Sequence, residues 1–203
     1  MCELEKYEWC DYWCQEPKDK IKPRVLLIGD SITRAYRPFV EEHMGEKHCI
    51  DMIASSKALD NPAFLKDIRY FSEQYSTVYS AIHFNNGLHG FHLSTDDYAK
   101  HLENIILFIC RYFGPMQLIL ATSTSVLRIG STVDTDENLN SIILERNKVV
   151  MAMALKHQLC INDLYSKMNG KSEYRLEDGF HYNVIGQKTQ GKLVADIITG
   201  ALQ

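Results

Sequence analysis

Val25-Leu26-Leu27-Ile28-Gly29-Asp30-Ser31-Ile32-Thr33 decides how this chain is read. Four consecutive apolar residues suit a strand buried on both faces, and Gly29-Asp30-Ser31 ends the run. From residue 32 to 44 the apolar spacing becomes helical, so the predicted order is strand, tight turn, helix. Asp and Ser often cap helices, which by itself would explain the pair. A serine at this turn has a second use. Its N–H points out of the helix start, where the dipole favours an anion, and its hydroxyl becomes a nucleophile once a base takes the proton.

Working outward, residues 49–54 read as a second strand and 62–75 as a helix with Pro62 in its first turn. Residues 78–84 form a third strand, followed by a helix over 96–113 that Thr95 caps and Gly114-Pro115 stops. Residues 117–122 make a fourth strand, 126–140 a polar loop, 137–157 a largely helical stretch and 159–164 a fifth strand. A final helix over 183–202 is capped by Asn183. Five strands alternating with helices predict an α/β fold, a three-layer α/β/α sandwich on a flavodoxin-like five-stranded parallel sheet of order 2-1-3-4-5. In such sheets the site lies at the carboxyl ends of the strands.

The 203 residues, 45% of them hydrophobic, suffice for one well-buried core. Residues 1–21 read as an aromatic and acidic arm, and residues 22–203 as the domain. A net charge of −4 with scattered basic residues gives no footprint for nucleic acid, and no apolar run is long enough to span a bilayer. The N-terminus has neither a basic start nor an apolar core, so no secretory signal is read and a cytoplasmic location is expected, although a trimmed leader would leave the same sequence. Cys49, Cys110 and Cys160 sit in apolar segments, and Cys2, Cys10 and Cys14 lack zinc-finger spacing.

The second informative string is Asp178-Gly179-Phe180-His181, just ahead of the last helix. A histidine base needs an acceptor on its other ring nitrogen to fix its tautomer, and a D-x-x-H turn can supply one. Asp163, at the end of the fifth strand, is a rival carboxylate that reads as structural.

Ile28-Gly29-Asp30-Ser31-Ile32-Thr33 together with Asp178-Gly179-Phe180-His181-Tyr182-Asn183 resembles the GDSL, or SGNH, hydrolase superfamily over residues 22–200. The resemblance implies hydrolysis of an ester or thioester by Ser31, His181 and Asp178. It also implies an oxyanion hole with three donors, of which the Ser31 N–H is the first. The family's glycine after the second strand is replaced here by Ser55-Ser56-Lys57, so the Ser56 N–H is expected to stand in. After the third strand the family's G-x-N-D becomes Asn85-Asn86-Gly87-Leu88-His89. His89 holds the asparagine position if Gly87 matches the motif's glycine; a slipped register makes Asn86 or Asn85 the donor. An amide at Asn86 is preferred, because an imidazole donates only in the right tautomer. Asn-Gly turn chemistry would also explain the pair.

His83, His89 and His92 match no common zinc spacing, so neither metal nor cofactor is expected. Tyr7, Trp9, Tyr12 and Trp13 in the arm would dock it on its own domain; a dimer contact or an aromatic wall over the site are the alternatives. Arg128 reads as a solvated arginine that could otherwise meet an anionic substrate group. The expected activity is hydrolysis of short acyl esters, O-acetyl groups on carbohydrate above all, since no long apolar lid is evident. A lysophospholipase or acyl-thioesterase is the enzymatic alternative, and a non-catalytic binding domain on the same scaffold the other. A flavin or nucleotide binder is disfavoured by the lack of G-x-G-x-x-G.

Overall fold

The structure, a computed structural model, describes residues 3–76 and 78–203; Cys2, grouped above with Cys10 and Cys14, lies outside them. Its strands are β1 (Cys10–Trp13), β2 (Arg24–Gly29), β3 (Cys49–Ser55), β4 (Ala81–Phe84), β5 (Gln117–Ala121) and β6 (Cys160–Asn162). Its α-helices are α1 (Ser31–Met44), α2 (Pro62–Gln74), α3 (Thr95–Phe113), α4 (Glu137–His157), α5 (Leu164–Met168) and α6 (Val184–Ala201). The sheet order is β1-β3-β2-β4-β5-β6. The five strands from β2 to β6 are parallel and have the predicted 2-1-3-4-5 arrangement.

Every residue of β2 is buried, as a central parallel strand requires. Its side chains alternate between two cores. Val25 and Leu27 join Tyr36 and Val40 of α1 and Val194 and Ile198 of α6. Leu26 and Ile28 join Phe64 and Ile68 of α2 and Leu102 and Ile105 of α3. That alternation makes the three layers. At the far end of the sheet, α4 contributes Ile143 to the first core and Val150 and Ala154 to the second.

The sixth strand corrects the predicted count. Part of the arm adds antiparallel to the outer edge of the sheet, with Cys10 opposite Ser55 and Trp13 opposite Met52. Its side chains take opposite faces: Tyr12 packs on Phe71 of α2 with ring centroids 5.5 Å apart, whereas Trp13 lies under the Arg37 guanidinium of α1 at 4.1 Å. Three smaller corrections follow. The cap of α3 is Ser94, whose side chain accepts from Asp97 N, and Thr95 is its first helical residue. The third parallel strand spans Ala81–Phe84, and Val78, expected to begin it, is exposed. The fifth ends at Asn162 because Asp163 caps α5.

Candidate active site

The β2–α1 turn is as tight as the sequence requires. A Cβ on Gly29 would lie 2.0 Å from Thr33 Oγ1 and 3.2 Å from the Asn85 carbonyl, so only glycine lets β2 turn into α1 here. Asp30 is the N-cap, its side chain accepting from Ile32 N at 2.9 Å. It is fully buried, and desolvation raises its pKa, with His89 and then backbone N–H groups pulling the other way. Ser31 follows at the first helical position. The capping reading and the exposed-hydroxyl reading therefore both apply, to successive residues.

Ser31 Oγ lies 2.8 Å from His181 Nε2, and His181 Nδ1 lies 2.7 Å from Asp178 Oδ2. The other Asp178 oxygen accepts the backbone N–H groups of Phe180 at 2.9 Å and His181 at 2.8 Å. Partial burial raises the Asp178 pKa, but those two N–H groups and the His181 ring outweigh it and hold the carboxyl below its usual value. With Asp178 accepting the Nδ1 proton, Nε2 faces Ser31 as an acceptor.

Gly179 shapes this loop. Its φ is +86°, and a Cβ there would sit 2.4 Å from the Leu127 carbonyl. Its own carbonyl accepts from Leu127 N at 2.9 Å and Arg175 Nη2 at 2.7 Å, which pins the loop to the connection after β5. Asp163 is engaged elsewhere, accepting from Thr122 Oγ1 at 2.9 Å and Ser166 N at 3.2 Å.

The remaining predicted donors fare differently. The Ser56 N–H donates to the Trp9 carbonyl at 3.2 Å, extending the β1–β3 pairing past its last residue. The expectation that Ser56 N–H meets an oxyanion is therefore corrected: the arm has taken that proton. Asn85 spends its amide on the Ala121 carbonyl and Ser123 Oγ, tying β4 to β5. Asn86 donates one amide hydrogen to the Lys57 carbonyl at 2.9 Å and keeps a second. His89 places Nδ1 2.9 Å from Glu5 Oε1 of the arm.

Ser31 and His181 open into a pocket of about 480 Å³. Trp9, Leu88, Phe91, Leu139 and Phe180 give it apolar walls, and Glu5, Arg34 and His89 supply polar groups. Arg34 stacks on Trp9 at 4.7 Å and pairs with Asp11 at 2.6 Å. Of the arm aromatics, Trp9 thus reaches the pocket wall. His83, His89 and His92 do not converge. His83 is buried beside Tyr36 and Asn162, where desolvation pushes its pKa down to about 3, and His92 pairs with Asp60.

Sequence reasoning missed Arg146. Its guanidinium, buried against Phe91 and Tyr98, donates to the carbonyls of Gly87, His89 and Gly90, and so holds the loop that carries Asn86 and His89. A signal did exist: Arg146 lies three residues after Ile143 and four before Val150, on the apolar stripe of α4.

No protein-family model and no curated protein sequence matches the chain. Solved structures do. The lipase/acylhydrolase from Enterococcus faecalis superposes with a TM-score of 0.70 at 20% identity, covering 89% of this chain and 97% of that one. The acetyl xylan esterase AlAXEase gives 0.66 at 16% identity, over 86% and 99%. A catalytic mutant of Axe2, an acetylxylan esterase from Geobacillus stearothermophilus, gives 0.63 at 16% identity, over 91% and 96%. The chain has the three-layer fold of these hydrolases along nearly its whole length.

Proposed function

We propose that the chain is a serine-dependent carboxylic ester hydrolase of the GDSL/SGNH type, acting on short acyl esters such as O-acetyl groups on carbohydrate. The observation that carries the reading is the relay from Ser31 through His181 to Asp178, with successive separations of 2.8 and 2.7 Å. Ser31 Oγ attacks the ester carbonyl while His181 Nε2 takes its proton. Asp178 keeps the ring in the working tautomer and stabilises the imidazolium that forms. His181 then returns the proton to the leaving alkoxide, and an acyl-Ser31 ester remains. Water, deprotonated by His181, releases the acid and restores Ser31.

Charge develops on the carbonyl oxygen, and in this reading the Ser31 N–H at the start of α1 meets it. The second amide hydrogen of Asn86 is the next donor in this reading. A neutral His89 that gives its Nδ1 proton to Glu5 carries none on Nε2, so it donates toward the pocket only as an imidazolium. No cofactor or metal enters the scheme.

The fold's likeness to acetylxylan esterases supports the acetyl and carbohydrate parts of the reading. One observation favours the second reading, a lysophospholipase or acyl-thioesterase: five apolar side chains line the pocket. Hydrolysis of p-nitrophenyl acetate and butyrate by the protein and its Ser31→Ala variant separates these. Serine-dependent turnover that falls with chain length supports the short-acyl esterase, and turnover that rises supports the second reading. Equal background rates in both proteins would remove hydrolysis of these esters and leave a binding domain, which a serine-reactive fluorophosphonate would fail to label at Ser31.

A further inference from the structure

Ser31 and His181 share their pocket with a second imidazole–carboxylate pair that the hydrolytic scheme does not use. His89, from the loop after β4, and Glu5, from the arm, both line it. His89 Nδ1 lies 2.9 Å from Glu5 Oε1, and the two side chains are 15% and 37% exposed. Each partner is fixed from behind. Arg146 Nη1 donates to the His89 carbonyl at 2.8 Å. The Glu5 N–H donates to Glu8 Oε1 at 3.0 Å, and Glu8 Oε2 accepts from Asn61 Nδ2 at 3.2 Å, which ties this part of the arm to the N-cap of α2.

The pair presents acceptors. A carboxylate has no hydrogen to give, and once Glu5 takes the Nδ1 proton the ring keeps a lone pair on Nε2. Nε2 has no hydrogen-bond partner among the described residues, yet it is not sealed from solvent as the Nδ1 of His48 is. The rest of the wall does not compete for a donor: Trp9, Leu88, Phe91, Leu139 and Phe180 are apolar there, and the Arg34 guanidinium only donates. A substrate that covers His89 either donates to Nε2 or strips it of water, and stranding a polar group is how a site rejects an analogue that lacks a hydroxyl. We propose that His89, oriented by Glu5, is a specificity-determining residue that accepts a hydrogen bond from a free hydroxyl on the alcohol part of the ester. The substrate is then an acyl ester of a sugar or other polyol that keeps unesterified hydroxyls, with the Trp9 ring available to its apolar face. Glu5 acts through His89 and is a positioning residue. The proposal rests on the ester-hydrolase reading for its reaction, and its binding test stands apart from turnover.

Calorimetric titration on the Ser31→Ala background compares a methyl xyloside monoacetate with the acetate of a tetrahydropyran ring that lacks the other hydroxyls. The hydroxylated ester should bind about tenfold more tightly, as one added hydrogen bond to a preset acceptor allows. Adding His89→Leu should remove that preference, whereas His89→Gln, which places an amide oxygen near the position of Nε2, should keep part of it. Glu5→Ala should weaken the preference and Glu5→Gln should weaken it less, with thermal melts showing each variant folded. A preference that survives His89→Leu, the lack of any preference with His89 present, or failure of both esters to bind would overturn the proposal. Release of acetate from the hydroxylated ester by the protein with Ser31 intact checks the reaction separately. Serine-dependent turnover without a His89-dependent preference removes the proposal alone. A His89-dependent preference without turnover removes hydrolysis and leaves the hydroxyl subsite standing.

Discussion

Trp9 and Ser56 exchange two hydrogen bonds: the Trp9 carbonyl accepts the Ser56 N–H at 3.2 Å, and Ser56 Oγ accepts the Trp9 N–H at 2.9 Å. The pair locks the start of the edge strand onto the loop after β3 and brings the Trp9 ring to the wall of the pocket beside Ser31. Trp9→Ala keeps both backbone groups and removes the ring. Because that ring also stacks on Arg34, its loss opens one wall without touching Ser31 or His181. The expected result is a KM for acetylated sugars raised about tenfold, with kcat on p-nitrophenyl acetate little changed. Equal losses of kcat on both substrates would show that Trp9 does not act as a substrate wall.

The relay predicts a graded series. Ser31→Ala and His181→Ala should each abolish nearly all turnover. Asp178→Asn should lower kcat by about 10³–10⁴, because an amide cannot hold the imidazole in the working tautomer. Thermal melts should show all three folded. An Asp178→Asn variant with full activity would point to another carboxylate.

Asn86 and His89 can be told apart by kinetics. Asn86→Ala should cost about 10²–10³ in kcat with KM nearly constant, as expected for a donor used in the transition state. His89→Ala should act mainly on KM. The opposite pattern would assign the donor role to His89.

Asp30→Asn tests the buried carboxylate. Asparagine caps a helix as well as aspartate does, so the variant removes the charge and keeps the cap. The folded-state pKa of Asp30 lies above its unfolded value, so below about pH 3.9 the carboxyl is neutral in both states. As pH rises from there toward the folded-state value, the unfolded chain releases its proton first and the wild type loses stability. Urea unfolding between pH 4 and 8 should therefore show Asp30→Asn gaining on the wild type as pH rises. A constant difference would mean that the carboxylate is fully compensated where it lies.

Arg146→Met should destabilise the protein by about 3 kcal/mol or more, since it leaves the carbonyls of Gly87, His89 and Gly90 without their donor. Activity should fall more than global unfolding explains, because the loop it frees carries Asn86. Urea melts and kcat of the folded fraction, measured together, separate the two effects.

Much of this molecule was legible from local pattern. The run 25–28 followed by glycine marked the central strand, because a parallel strand covered on both faces must be apolar throughout. The D-x-x-H string marked its own geometry, since Asp178 reaches His181 within one turn of loop. The edge strand Cys10–Trp13 was not legible as a strand. Its aromatic and acidic side chains find Phe71, Arg34 and Arg37, residues more than twenty positions away, and no local signal announces them. Arg146 was hidden for the same reason: its three acceptors lie in a loop more than fifty positions earlier.

The sequence by itself determined the fold class, the order of the parallel strands, and which side chains are candidates for nucleophile, base and acid. Those properties rest on hydrophobic period, turn residues and functional groups, all of which are local. Tertiary structure alone decided how the hydrogen bonds are shared out. Any residue but proline offers an N–H, yet the one at Ser56 goes to Trp9, while two buried donors of Arg175 meet no acceptor among the described residues. A donor's availability depends on which distant acceptor reaches it first, and only the packed chain brings those acceptors into place.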